Sequence, residues 1–207
     1  MPTAETTRTL TAKGLQTRAA IEQAARKLFA ERGFHGTTLA DITSAAGKSA
    51  AVFYRYFADK EDLLAALAES FLHDIVTPSG LSVDLPGSPD DDTFFIAVVT
   101  GYWNMFKQNI GIMIAVAQLA ATQPRFAAVQ NEFRRFGMDI VAASIRRAQQ
   151  QGFGAELNAQ HTAAAIALLF ENFTTVVVGP SGLGLDISDE DAIATLSTVW
   201  KKILYGA

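Results

Sequence analysis

The sequence predicts an all-α chain of about nine helices, and three observations carry that prediction. Apolar residues recur at helical spacing along most of the 207 residues. The breaks between these stripes hold helix punctuation, with Ser, Thr, Asp or Asn before a stripe and Gly or Pro after it. No set of alternating strands is present. Val176-Val177-Val178 is the one β-prone run, and it lies inside a helical stripe that overrides it.

Residues 1–14 carry no stripe and read as a flexible arm, with Arg8 and Lys13 open either to DNA or to solvent. A first helix is expected from about Leu15 to Arg32, because Ile21, Ala25, Leu28 and Phe29 follow i, i+4, i+7, i+8 spacing. Gly33 ends it. Thr38 is a good N-cap for the next helix, and Asp41, three residues on, makes a capping-box-like pair. That helix puts Leu39, Ile42, Ala45 and Ala46 on one side. Gly47 suits the left-handed residue that closes a helix, and Ser49 can cap a third. Asp59 caps a fourth, with Leu63, Leu64, Leu67, Phe71 and Ile75 on its apolar face.

Residues 77–92 break the pattern with Pro78, Gly80, Pro86, Gly87 and Pro89. A loop of that length in a compact domain is unusual. Helix five follows from about Thr93 to Gln108, and helix six from Ile110 to Thr122. Pro124 opens helix seven, which runs to about Gln151. Asn158 caps helix eight, which runs to Val178. After the glycine-rich segment 179–184, Ser188 with Asp189, Glu190 and Asp191 starts a last helix to Tyr205. Three parts result: an arm at 1–14, a head at 15–60 and a body at 61–207.

The head carries the strongest functional pattern. Two short helices meet at Gly47, and the second leads into Phe53-Tyr54-Arg55-Tyr56-Phe57. Val52, Phe53 and Phe57 are expected to face inward, leaving Lys48, Ala50, Ala51, Tyr54, Arg55 and Tyr56 outside. Aromatic and basic side chains on the second helix suit a helix-turn-helix that must both pack and touch a polyanion. A plain helical corner with an aromatic core gives the same spacing, so spacing alone leaves both readings open. Charge is split along the chain: residues 1–57 hold eight Lys and Arg against four Asp and Glu, and residues 58–207 hold nine against seventeen. A basic head on an acidic body places one end of the molecule on phosphate.

Residues 17–64 resemble the DNA-binding domain of the TetR (tetracycline repressor) family. The resemblance rests on Arg18, Ile21, Ala24-Ala25, Leu28-Phe29, Glu31, Gly33-Phe34, Gly36-Thr37-Thr38, Ile42, Ala45-Ala46-Gly47, Ser49, Tyr54, Tyr56-Phe57, Lys60-Glu61 and Leu63-Leu64, in order and without gaps. It implies a ligand-responsive transcriptional regulator, usually a repressor, bound as a homodimer to palindromic double-stranded DNA. An activator of the same fold and a helical scaffold without DNA binding are the alternatives. Carried over residue by residue, Thr37 or Thr38, Tyr54, Tyr56 and Lys60 would hold phosphates, while Lys48, Ser49, Ala50 and Ala51 would meet base edges. The chain departs from the family's pattern at Lys48, usually apolar there, and at Ala51, often Gly. Lys48 thus either adds a DNA contact or bends to solvent.

In the body, the resemblance pairs helices eight and nine across a two-fold axis. Ala163, Ile166, Phe170 and Thr174 form one stripe, and Leu196, Val199, Trp200 and Ile203 another. These are the expected dimer interface, with intramolecular core as the other reading; on the first, Phe170→Asp or Trp200→Asp should give monomers. The body is also unusually aromatic, which suits a cavity for an apolar or aromatic small-molecule effector. The residues expected to line it are Trp103, Phe106, Met113, Phe133 and Phe173, with Gln118 and Asn172 as polar contacts and Glu171 another polar group in the apolar pattern.

Cysteine is absent, so no disulfide, thiolate metal site or cysteine nucleophile exists. The three His, at 35, 73 and 161, have neither metal spacing nor a paired nucleophile. No enzyme, cofactor or metal is therefore expected. The polar, Thr-rich N-terminus lacks a signal-peptide core, and 162–178 holds Glu171 and Asn172, so the chain reads as cytoplasmic with no membrane partner.

Overall fold

The computed structural model describes residues 11–76, 85–179 and 184–206. Among these it contains nine helices and no strand: α1 (Ala12–Arg32), α2 (Leu39–Ala45), α3 (Ala50–Phe53), α4 (Lys60–Val76), α5 (Asp92–Gln108), α6 (Ile110–Ala120), α7 (Pro124–Gln150), α8 (Ala159–Val178) and α9 (Asp189–Tyr205). The expected all-α architecture is what the chain adopts. Arg8 lies outside the described residues, as does the first half, 77–84, of the 77–92 break. α1 begins at Ala12, earlier than the expected Leu15, because Thr11 caps it by accepting from Gly14 N at 3.2 Å. Lys13 is accordingly an exposed helical residue.

Local chemistry sets most helix starts. Thr38 and Asp41 form a reciprocal capping box on α2. Ser49 accepts from Val52 N at α3. Asp59 accepts from Asp62 N at 2.7 Å while Asp62 accepts from Ala58 N, fixing the start of α4. Asn158 accepts from Gln160 N and His161 N, and Ser188 from Asp191 N. Gly47 adopts φ 62°, a left-handed conformation that lets the chain turn between α2 and α3 without a Cβ penalty.

The Asp41 carboxyl is held below the ordinary aspartate value of 3.8, chiefly by the Thr38 hydroxyl, then by the Thr38 N–H and the Arg32 charge, against partial desolvation. A depressed folded-state pKa means stability that is present above the unfolded value and lost as pH falls through the folded one. Thr38→Ala removes the cap and its bond to Asp41, and should lower stability at neutral pH. The difference from the parent should shrink in urea melts as pH falls from 3.8 through the lower folded-state value, beneath which Asp41 is protonated in both states.

Packing divides the interior into two cores. The first joins head to body: Ile21, Ala25, Leu28 and Phe29 of α1, Ile42, Phe53 and Phe57, then Leu63, Leu64 and Leu67 of α4, with Ile112, Ala115 and Leu119 of α6 and Phe126 of α7. The expected stripe of α1 is the buried one. Ala45 is the exception on α2, where Thr43 is buried and Ala45 exposed. Gly111 of α6 meets α1 so closely that a Cβ there would lie 2.5 Å from Phe29 C and Ala30 N. Arg26 of α1 adds a 3.0 Å bond to Asn109 in the α5–α6 turn. The head thus rests on α6 as well as on α4.

The second core joins α5, the C-terminal half of α7, α8 and α9. Trp200 lies at its centre, with edge-on ring contacts to Phe94, Phe95 and Phe170 at centroid distances of 5.4, 5.2 and 6.0 Å. α8 is the one helix among the described residues long and apolar enough to cross a membrane. One of its faces packs into this core, which a buried helix of a folded domain does equally well.

Candidate nucleic-acid interface and ligand cavity

On the head, α3 and the turn after it present a mixed face. Ser49, Ala50, Ala51, Tyr54 and Arg55 are exposed, Tyr54 by 60%. Phe53 is fully buried beneath them and packs edge-on against the Tyr54 ring, setting its direction. The helix is short because backbone bonds tighten after Phe53, with Arg55 N donating to Val52 O and Tyr56 N to Phe53 O. Lys48 is half-buried, its N–H donating to Thr43 O at 2.9 Å. Tyr56 is half-buried against the first core, so only its edge is open.

Two of the expected phosphate contacts have other work. Thr37 is fully buried, and its hydroxyl donates to Gly33 O at 2.8 Å and shares a longer contact with Leu28 O. It closes the α1–α2 corner and leaves Thr38 as the exposed member of the pair. Lys60 was expected to hold a phosphate through its charge. Its ammonium instead donates to Phe34 O and Thr37 O, both at 2.7 Å, and lies 4.2 Å from the Phe34 ring centroid. Burial holds its pKa below the usual lysine value, with Glu61 acting in the opposite direction. Lys60 is a clamp between α4 and the α1–α2 corner, with one N–H left over.

The expected dimer residues divide by face. Ala163, Ile166, Phe170 and Thr174 of α8, and Leu196 and Trp200 of α9, are buried inside the protomer. They belong to the second core and correct the expected interface. Val199 is half-buried and Ile203 is 36% exposed. The open apolar surface of α8 is formed by its next residues round, Leu168 and Leu169, at 48% and 41% exposure.

A cavity of about 520 Å³ lies between the two cores. Ile75 at the end of α4 lines it, with Phe94 and Phe106 of α5, Met113 and Val116 of α6, Phe133 and Phe136 of α7, and Phe170 of α8. Leu85, exposed by 40%, lines it where it reaches the surface. Of the residues expected to line it, Phe106, Met113 and Phe133 do so. Trp103 and Phe173 do not: they pair with each other in the second core, at a ring distance of 6.4 Å. Gln118 and Asn172 are exposed and also lie off the cavity. The reason is angular, since each lies about one residue round its helix from a lining position, Ala117 and Glu171.

One polar cluster breaks the apolar wall. Arg134 Nε and Nη2 donate to Glu171 Oε2 and Oε1 at 2.7 and 2.9 Å, and Gln130 Nε2 donates to Oε1 at 3.0 Å. Glu171 holds the Arg134 pKa above its usual value. Gln130 and Arg134 were not singled out in the sequence. Their i, i+4 spacing with Phe133 and Gly137 between and beyond them was the available signal. Arg134 also borders a second depression of about 400 Å³ on the outer side of α7 and α8, beside Arg135, Met138 and Leu168. Tyr102 lines the cavity with its ring; burial pushes its phenol pKa up, Thr174 acts against that rise, and the Glu171 charge adds a smaller push upward.

A family model described as bacterial regulatory proteins, tetR family, matches residues 21–67, the segment that builds the head and its clamp. The HTH-type transcriptional repressor AcnR of Corynebacterium glutamicum is 34% identical over 82 residues, 38% of this chain and 44% of that protein. The HTH-type transcriptional repressor KstR2 of Mycobacterium tuberculosis is 29% identical over 133 residues, 62% of this chain and 66% of its own. The chain thus spans under half of the first relative and just under two thirds of the second. Whole-chain fold similarity is broader. A transcriptional regulator from Saccharomonospora viridis, solved with choline, superimposes with a TM-score of 0.73 at 19% identity, over 92% of this chain and 98% of that one. FadR from Bacillus subtilis, solved with stearoyl-CoA, gives 0.65 at 20% identity, over 91% and 98%. Head motif and whole-chain fold agree: residues 21–67 match the tetR family of bacterial regulatory proteins, and the whole chain shares its fold with solved regulators.

Proposed function

We propose that the protein is a ligand-responsive transcriptional repressor that binds a palindromic DNA operator as a homodimer. The observation that carries this reading is the exposed α3 face, Ser49, Ala50, Ala51 and Tyr54, rigidly backed by buried Phe53 within a tetR-type head. Repression rather than activation follows the named relatives, which are repressors. Small side chains at 50 and 51 let the backbone approach the major groove, and the Ala methyls suit a thymine methyl. Thr38, Tyr54 and the open edge of Tyr56 supply phosphate donors, and half-buried Lys48, next to Gly47 in the turn, supplies a base-edge donor.

One head reads few base pairs, so two must act together, about 34–36 Å apart on one DNA turn. The dimer is proposed to form through the outer faces of α8 and α9, at Leu168, Leu169 and Ile203, burying on the order of 1,200–2,000 Å². The cavity supplies the switch. It lies between the core that carries the head and the core that would carry the dimer. Filling it shifts one against the other through α4 and α6, and so changes head spacing. A ligand moves this equilibrium only by its differential affinity for the two arrangements, and operator DNA must weaken ligand binding by the same factor.

Gel shifts on specific and random duplexes test the reading. Tyr54→Phe should weaken both alike, because a phosphate contact carries no sequence information. Lys48→Ala should change base preference by about 1–3 kcal/mol at the affected position. Binding to random DNA that is absent at low salt would sink the DNA reading.

A further inference from the structure

The polar chemistry of the cavity wall identifies the class of molecule it takes. The lining is otherwise aliphatic and aromatic. Tyr102 and Trp200 contribute rings, since their Oη and Nε1 atoms are buried away from the cavity surface. Thr175 spends its hydroxyl on Glu171 O at 2.7 Å. Asp139 is exposed at the surface. What remains is the Gln130–Arg134–Glu171 cluster, and its hydrogen-bonding capacity is unbalanced. Glu171 already accepts three bonds, two from Arg134 and one from Gln130. The guanidinium has five N–H groups, of which two are used, and the Gln130 amide has two, of which one is used. No other partner for either side chain exists among the described residues. The cluster therefore offers three spare guanidinium N–H groups and one spare amide N–H, against Gln130 Oε1 and one remaining Glu171 lone pair as acceptors, with the Arg134 side chain 33% exposed.

Its charge is balanced as well. Glu171 neutralises Arg134, so a carboxylate entering the cavity would meet Arg134 with Glu171 beside it. An ammonium would meet a Glu171 carboxylate that already accepts three bonds, with the Arg134 guanidinium repelling it from beside that carboxylate. An uncharged carbonyl oxygen accepts from the spare N–H groups without either penalty. We propose that the effector is an apolar molecule carrying a neutral carbonyl, its hydrocarbon part among Phe94, Phe106, Phe133 and Phe136 and its oxygen on Arg134 and Gln130. This rests on the reading of the cavity as a ligand site.

The test uses the full chain and four probes: butylbenzene, 2-nonanone, nonanoate and nonylamine. Binding is followed by tryptophan fluorescence, since Trp200 lines the cavity. The ketone should bind about tenfold or more tighter than the amine and the carboxylate, one net hydrogen bond's worth. In Arg134→Leu with Glu171→Leu, which removes both charges together, that preference should vanish while butylbenzene binds as before. Gln130→Leu should lower ketone affinity alone. Amine or carboxylate binding as tight as the ketone overturns the proposal, as does a ketone preference that survives the double change. If butylbenzene binds and the ketone has no advantage, the cavity reading stands and the carbonyl proposal falls. If none of the four binds, both fall.

Discussion

Chains carrying Phe170→Asp or Trp200→Asp are expected to be unfolded at room temperature, not folded monomers. Both side chains are buried in the protomer, Trp200 to 1% exposure, within a cluster of aromatic rings with no cationic side chain among its members. Truncation of such a residue alone costs about 3–5 kcal/mol. Placing an unpaired carboxyl in the space adds several kcal/mol more, whether it stays charged or takes up a proton. The total reaches the whole stability of a typical domain, about 5–15 kcal/mol. Leu168→Asp and Ile203→Asp are the contrasting pair. Both positions are exposed, so these chains should keep the parent's helical circular dichroism and melting temperature in the diluted state while light scattering reports the monomer mass. A folded Trp200→Asp monomer would return that residue to the interface.

Lys60→Ala should give the largest loss from a single charged residue, about 2–3 kcal/mol in urea melts. The change leaves Phe34 O and Thr37 O, both bonded at 2.7 Å, without their donor, and removes the cation from the Phe34 ring. The head should loosen where α4 meets the α1–α2 corner, and DNA affinity should fall as a consequence of that loosening. Tyr54→Phe separates the two effects, since an exposed phenol contributes nothing to the core: it should lower DNA affinity at unchanged melting temperature. If Lys60→Ala melts like the parent, the clamp is not stabilising, and any lost affinity would belong to a direct phosphate contact.

The sequence by itself determined the helices and the chemistry at their ends. Thr38 with Asp41, Ser49, Asp59, Asn158 and Ser188 act through bonds spanning two to four residues, so they are legible without knowing what the helix packs against. The buried stripe of α1 was equally legible, because one neighbour layer covers it. The head's likeness to a family was carried by the same short-range residues. The tertiary structure alone decided which of two competing surfaces covers a given stripe. Ala163, Ile166 and Phe170 follow a spacing that suits a partner subunit and the protomer's own core equally, and the core holds them because α5, α7 and α9 close over that face. The cavity was predictable as a type, from surplus aromatics, but not in its lining: Trp103 and Phe106 are three residues apart on α5, and only one turns inward to the seam. Lys60 shows the same limit for charge. Its position marks a helix start, where phosphate is a natural partner, but two carbonyls 23 and 26 residues earlier in the chain come within 2.7 Å and take the ammonium first. Period and capping are local properties of the chain. Partner choice is set by which distant groups the fold brings within a few ångströms, and no local pattern records that.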